Sequence, residues 1–175
     1  MNDFIDRVIR AVRLDATLYS EVKADNEALG QAMLIVALSG LATGVGNAKG
    51  WIGYLIIIFF AFTVWLGWSF VAYIVGTRLL PEPQTEKDYL GLLRATGFAF
   101  APSILIIFAA IHSLMLFVTL ATAIWTLTAI IIAVRQALDY KTTFRAIGVV
   151  LISIVVQAVI LLFLTLVIGG GGGGQ

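Results

Sequence analysis

The sequence predicts an all-α membrane protein: a five-transmembrane-helix bundle with a cytoplasmic N-terminus, an extracytoplasmic C-terminus and an N-terminal amphipathic helix. Three observations carry this. Five apolar runs, residues 29–45, 51–75, 95–111, 113–134 and 146–168, are 17 to 25 residues long, the length an α-helix needs to cross a hydrocarbon core of about 30 Å. The composition is 61% hydrophobic and 12% charged with mean hydropathy +1.03, whereas soluble domains are about one-quarter charged. Twenty of the 21 charged residues fall in alternate gaps between the runs, Lys49 being the exception. That side holds ten of the eleven Lys and Arg, so the positive-inside rule makes it cytoplasmic.

The chain divides into three regions: a cytoplasmic amphipathic segment (1–28), the five-span membrane domain (29–168) and a flexible Gly-rich tail (169–175). In the first, Phe4, Ile5, Val8, Ile9 and Val12 recur at helical spacing, Asp6, Arg7, Arg10 and Arg13 take the other face, and Asn2 or Asp3 can cap the start. The stripe fits either the bundle's own cytoplasmic end or the plane of the lipid headgroups. A second short helix is predicted over 16–22. In the first span Gly40-x-x-x-Gly44 offers close backbone approach to another helix, with intrachain packing preferred. Residues 46–50 read as a tight outer turn. Trp51, Tyr54 and Tyr73 stand at the ends of the second run, where amphipathic rings favour headgroup depth. Pro81 and Pro83 stiffen the next linker, and Thr85-x-x-Asp88 has the spacing of a capping box. As one helix, 95–134 would reach roughly 60 Å, twice the core, so the chain must fold back near Ile111-His112-Ser113. Pro102 is expected to kink the third span.

The chain excludes several chemistries. It has no cysteine and one histidine, His112, which stands in an outer turn without ligand partners, so neither a metal site nor general-base catalysis is supported. The acidic residues share the cytoplasmic side with the basic ones, which argues against a polybasic patch for nucleic acid. No ionisable residue stands within a span; Ser153 and Gln157, at i,i+4 on the fifth, are the notable polar groups at depth, and Gln157 is expected to make an interhelical hydrogen bond. No catalytic residue, cofactor or metal is expected.

The most specific signal is internal. Asp88-Tyr89-x4-Arg94-Ala95-x-Gly97 and Asp139-Tyr140-x4-Arg145-Ala146-x-Gly148 share one pattern, each at the cytoplasmic entrance to a span and each preceded by an arginine, Arg78 or Arg135. Spans two–three and four–five therefore read as two parallel copies of one helical hairpin. Because Asp and Arg six apart do not meet on a helix, any salt bridge must be tertiary: either a cross pairing of Asp88 with Arg145 and Asp139 with Arg94 ties the hairpins together, or these residues are topology anchors with no mutual contact.

With these spans and loops in place, the chain resembles the YIP family, named for integral membrane proteins that interact with Ypt/Rab GTPases, in a bacterial-type form. The resemblance rests on residues 11–15, Tyr19-Ser-Glu-Val22, Ala24-Asp-Asn-Glu-Ala-Leu-Gly-Gln31, Leu93-Arg94, Phe100-Ala101-Pro102, Ala133-Val-Arg-Gln-Ala-Leu-Asp139 and Thr142-Thr143. It implies five transmembrane helices, a cytoplasmic N-terminus and a non-enzymatic role in membrane organisation or trafficking. The long cytosolic N-terminal region and the Asp-Leu-Tyr-Gly-Pro-like motif of eukaryotic members are missing, which puts GTPase binding in doubt. Two functions are thereby expected to compete. One is a scaffold of the bacterial inner membrane that meets membrane lipids and a protein partner or a second copy through Asp88, Tyr89, Arg94, Asp139, Tyr140, Arg145, Arg78 and Arg135. The other is a transporter or lipid-handling subunit with an uncharged cavity between the hairpins, near Pro102 and Gln157.

Overall fold

A computed structural model describes residues 2–45, 48 and 50–170. The expectations for the 46–50 turn as a whole, for Lys49 and for the tail beyond 170 lie outside the described residues. Where described, the chain is helical: α1 (Asn2–Val12), α2 (Ala16–Ala24), α3 (Ala28–Gly44), α4 (Gly50–Ile74) prolonged by a π turn (Val75–Leu79), α5 (Tyr89–Ala99), a 3₁₀ segment (Ala101–Ala110), a 3₁₀ turn (His112–Leu114), α6 (Met115–Ala137) and α7 (Thr143–Gly170). Four stretches, Gly50–Leu79, Tyr89–Ala110, His112–Ala137 and Thr143–Leu166, are long and apolar enough to cross a membrane, and α3 is a shorter apolar helix. The chain folds back at 112–114 as its hydropathy requires.

α5 is the hub. Gly91 to Ala99 are all buried, because α2, α3, α4 and α6 all pack around it. Small residues permit this crowding: a Cβ on Gly97 would lie 2.7 Å from the Ala32 Cβ of α3 and 3.0 Å from the Trp65 ring of α4. The Gly40-x-x-x-Gly44 face packs within the chain, Gly40 against Ile58 and Ala61 and Gly44 against the Tyr54 ring of α4. Outward faces of α4, α6 and α7 carry exposed Phe59, Leu116, Phe117, Ile124, Val155 and Phe163, as lipid-facing surfaces do.

The N-terminal segment is a helical hairpin packed on the bundle. Asp3 lies inside the first turn of α1, not at its cap. Leu14 takes the left-handed conformation (φ 62°) and Asp15 N–H returns to the Arg10 carbonyl, a Schellman closure. Asp15 then caps α2 through Thr17 N–H at 2.9 Å. Leu18, Tyr19 and Val22 are fully buried between α5 and α6. The Trp125 indole N–H donates to the Val12 carbonyl at 2.8 Å, so the hairpin covers α6 from Ala137 to Trp125, roughly 18 Å of its length.

Three local expectations are corrected. Pro102 does more than kink: it stands at the start of a ten-residue 3₁₀ segment. Its missing N–H breaks the α-ladder, and Ser103 N–H bonds instead to the Phe100 carbonyl at 3.0 Å. Thr85-x-x-Asp88 is not a capping box, since Asp88 makes no side-chain cap bond and the Thr85 hydroxyl accepts from Glu82 N–H. Finally, α7 continues to Gly170, into the glycine run assigned to the tail.

Candidate functional site at the charged end of the bundle

Four segments distant in sequence meet where the charges gather. Lys23, near the end of α2, lies on the same buried face as Tyr19 one turn earlier. Its ammonium donates to Asp139 at 2.8 Å and to the Gln136 carbonyl at 3.4 Å, and pairs with Glu86. Burial by itself depresses the Lys23 ammonium; the hydrogen bonds to Asp139 and then Glu86 outweigh it, so the group titrates above its ordinary range. Beside it, Arg94 is 5% exposed and donates to Asn26 Oδ1 at 2.6 Å, to Asp88 at 3.2 Å and to the Leu90 carbonyl at 3.2 Å. A Cβ on Gly91 would sit 2.5 Å from Asp88 Oδ2 and 3.0 Å from Lys23 Cγ, so glycine makes room for both halves of the cluster. Ser20, Lys23, Asn26, Glu86, Asp88 and Arg94, with Ala24, enclose a cavity of about 340 Å³.

A second cluster joins the α4–α5 linker to the α6–α7 loop. Glu82 accepts from Lys141 N–H at 3.0 Å and the Thr142 hydroxyl at 2.9 Å, and pairs with Arg145 at 3.5 Å. Arg145 also donates to the Pro81 carbonyl. The Tyr140 hydroxyl reaches the carbonyls of Gly76 (2.7 Å) and Leu80 (2.8 Å). The π turn leaves such carbonyls without their α-helical partners, and Gly76 admits the loop because its absent side chain would strike Leu138. Burial, then the nearby Glu82 charge, pushes the Tyr140 phenol up to about 12.

The cross pairing is overturned. Arg94 binds Asp88 of its own motif, and Arg145 binds Glu82. The helical spacing rule does not apply to Asp88, which stands outside α5 as its N-cap in extended conformation (φ −99°, ψ 101°), so its carboxylate can turn toward Arg94. The two motifs also differ in conformation. Asp88 opens a helix, whereas Asp139 closes one: its φ is 53°, and Tyr140 N–H returns to the Arg135 carbonyl at 2.9 Å. Tyr89, the first residue of α5, instead reaches the Leu66 carbonyl at 3.3 Å and stacks edge-on against Tyr73.

The other anticipated residues are dispersed. Arg135 caps its own loop through the Tyr140 and Lys141 carbonyls, both at 3.3 Å. Arg78 is exposed and has no ion-pair partner among the described residues. Gln157 faces Gly67 of α4, without the expected interhelical hydrogen bond among the described residues, while Pro102 is buried in the 3₁₀ segment that packs on α3 and α6, and the two line no common cavity there. Spacing rules missed Lys23, Asn26, Glu82 and Glu86. For Lys23 a signal existed: it shares the buried stripe of Leu18, Tyr19 and Val22, and a lone cation on such a stripe needs a carboxylate. Among the described residues no group of His, Cys, Asp and Glu could hold a metal ion.

The arrangement is a latch, in which every buried cation is already matched by oxygens from another segment. Described residues that are helical, with exposed apolar helices and charges gathered at one end, make this a multi-pass integral membrane protein. The Yip1 domain profile matches residues 16–166, and the chain belongs to that family. No curated protein and no solved structure matches it significantly.

Proposed function

We propose that this protein is a non-enzymatic scaffold of a bacterial-type inner membrane. In this reading it crosses the bilayer five times and offers its cytoplasmic end to a protein partner or a second copy. The observation that carries it is the platform made by the latch. Lys23, Arg94, Glu82 and Arg145 tie α2 and both loops together, while Arg78, Leu79, Leu90 and Phe144 on the same end stay exposed, Phe144 by 86%. Rigid backbone presenting apolar and cationic side chains suits docking more than solute passage. The lengths support the topology. α4 with its π turn is roughly 45 Å long against a core of about 30 Å, enough to cross and to extend beyond it. α3, at roughly 26 Å, falls less than one turn short of the core yet packs against α4, α5 and the 3₁₀ segment, which supports a fifth crossing. The natural binding partners in this reading are lipid and protein, with no cofactor; GTPase binding is not proposed.

The test is crosslinking mass spectrometry in native membranes, with wild type beside Arg78→Ala and Phe144→Ala. Crosslinks from the 78–87 and 139–145 segments to one protein, lost in both variants, are expected. Crosslinks confined to the chain itself in a monomer would overturn the scaffold reading.

A further inference from the structure

Three cavities of about 370, 410 and 270 Å³ lie along α3, α4, the 3₁₀ segment and α6, from the His112 turn inward as far as Ile130 and Val36. Thr43, Ile106 and Thr119 line the first two, and Thr43 and Ser103 line the last two, so the three adjoin along one crevice. Its character is uncommon for lipid-facing protein. Ser39, Thr43, Ser103, Thr119, Thr122 and Thr126 put six hydroxyls on its walls, and His112 at one end is its sole titratable side chain among the described residues. Exposed Phe60, Met115 and Leu127 also line it, so it opens onto the lipid-facing surface.

Most of these hydroxyls have bonds. Ser39 and Ser103 share one at 2.5 Å, Ser103 also donates to the Phe100 carbonyl, and Thr122 donates to the Val118 carbonyl at 2.7 Å. Thr126 does not: it is 9% exposed, and its Oγ1 has no hydrogen-bond partner. A helical threonine normally satisfies itself on the carbonyl one turn back, as Thr122 and Thr128 do here. An unsatisfied hydroxyl surrounded by hydrocarbon is costly. A turn of about 120° about χ1 moves the hydroxyl to another of the three staggered positions on Cβ, so a ligand in the crevice can recruit it.

We infer that this crevice binds a neutral glycerolipid through a free hydroxyl. The bonded hydroxyls retain lone pairs that accept, and Thr126 retains a proton to give, so the matching group both donates and accepts. An alcohol does so and an ester does not. Among the described residues no lysine, arginine or carboxylate stands on the walls to select a phosphate or an amine, and the lateral opening with apolar walls suits acyl chains. This site is separate from the latch and does not depend on the scaffold reading.

The test measures retention of 1,2-dioleoylglycerol by the full chain in mild detergent, beside its 3-O-methyl ether and dioleoylphosphatidylglycerol. Dioleoylglycerol is expected to be retained over both. Thr126→Val should cut its retention about five-fold, the worth of one hydrogen bond. The same change should raise the unfolding temperature of the lipid-free protein, because it removes the unsatisfied group. That second readout shows that the variant folds. Equal retention of the methyl ether, equal retention of the phospholipid, or wild-type retention by Thr126→Val would each overturn the inference.

Discussion

Gly97 and Gly148 occupy the same place in the repeated motif, yet their surroundings differ. A methyl at Gly97 meets Ala32 Cβ at 2.7 Å and the α3 backbone at 3.3 Å, neither of which can move without shifting a helix. A methyl at Gly148 meets the tip of Leu80 at 3.2 Å, which yields by rotation. Gly97→Ala is therefore expected to cost about 1–3 kcal/mol as overpacking and Gly148→Ala under about 1 kcal/mol, read by reversible unfolding in mixed micelles. A similar contrast applies to charge. Removing Lys23 leaves Asp139 and Glu86 facing each other, half-exposed, across a vacated pocket, a loss of about 1–3 kcal/mol. In double-mutant cycles, Lys23→Met with Asp139→Asn should show coupling of about 1 kcal/mol, whereas Arg94→Met with Asp139→Asn should be additive. The reverse pattern would restore the cross pairing.

At the scale of elements, hydropathy made the helices legible and tertiary contact decided the rest. The runs at 51–75 and 146–168 reappear as α4 and α7 because uninterrupted apolarity of that length has one low-energy form in lipid. The 3₁₀ segment was not legible, since Pro102 announces a break in the α-helix but not the geometry the chain adopts beyond it. At roughly 2.0 Å per residue the ten residues from Ala101 span about 20 Å where an α-helix would span about 15 Å. That extra length lets an 11-residue α5 and its continuation reach the fold-back. The latch was hidden for another reason: Lys23 and Asp139 lie 116 residues apart, and no periodicity relates them.

The α1–α2 hairpin makes its own acid-sensitive prediction. Hydrogen bonds from Thr17 and then Arg10 pull Asp15 down to about 2 from 3.8, Arg10 lowers Glu21, and Arg7 followed by Glu27 N–H lowers Asp25. Each carboxyl is more acidic folded than unfolded, so its contribution is complete above its ordinary value and is lost as pH falls through the folded one. Hydrogen-exchange protection factors of α1 and α2 should hold above about pH 5 and fall towards pH 2, while those of α5 persist. Equal loss in α5 would mean that the hairpin and the hub open together.

For the whole molecule, the decisive quantity is which residues share a side of the membrane. Because the chain has no cysteine, single cysteines can be introduced without removing any, and each reports by its reaction with a membrane-impermeant maleimide. Ser20 on α2, Lys87 in the α4–α5 linker and Thr142 in the α6–α7 loop all stand exposed at the latch end. Ser113, in the fold-back turn, is exposed at the other. With five crossings and a cytoplasmic N-terminus, Ser113→Cys in intact cells should react, and Ser20→Cys, Lys87→Cys and Thr142→Cys should react only after the cells are opened. A four-crossing alternative, in which α3 stays within one leaflet, keeps Lys87, Thr142 and Ser113 as they are and moves Ser20 outside. The reactivity of Ser20→Cys therefore decides the number of crossings. The latch already weighs on the outcome, because Ser20 bonds to Gln136 at 3.1 Å and Lys23 to Asp139. Residues so joined across α2 and α6 cannot lie on opposite faces of a bilayer, so reaction of Ser20→Cys in intact cells with Thr142→Cys protected would require the latch to be broken in the membrane.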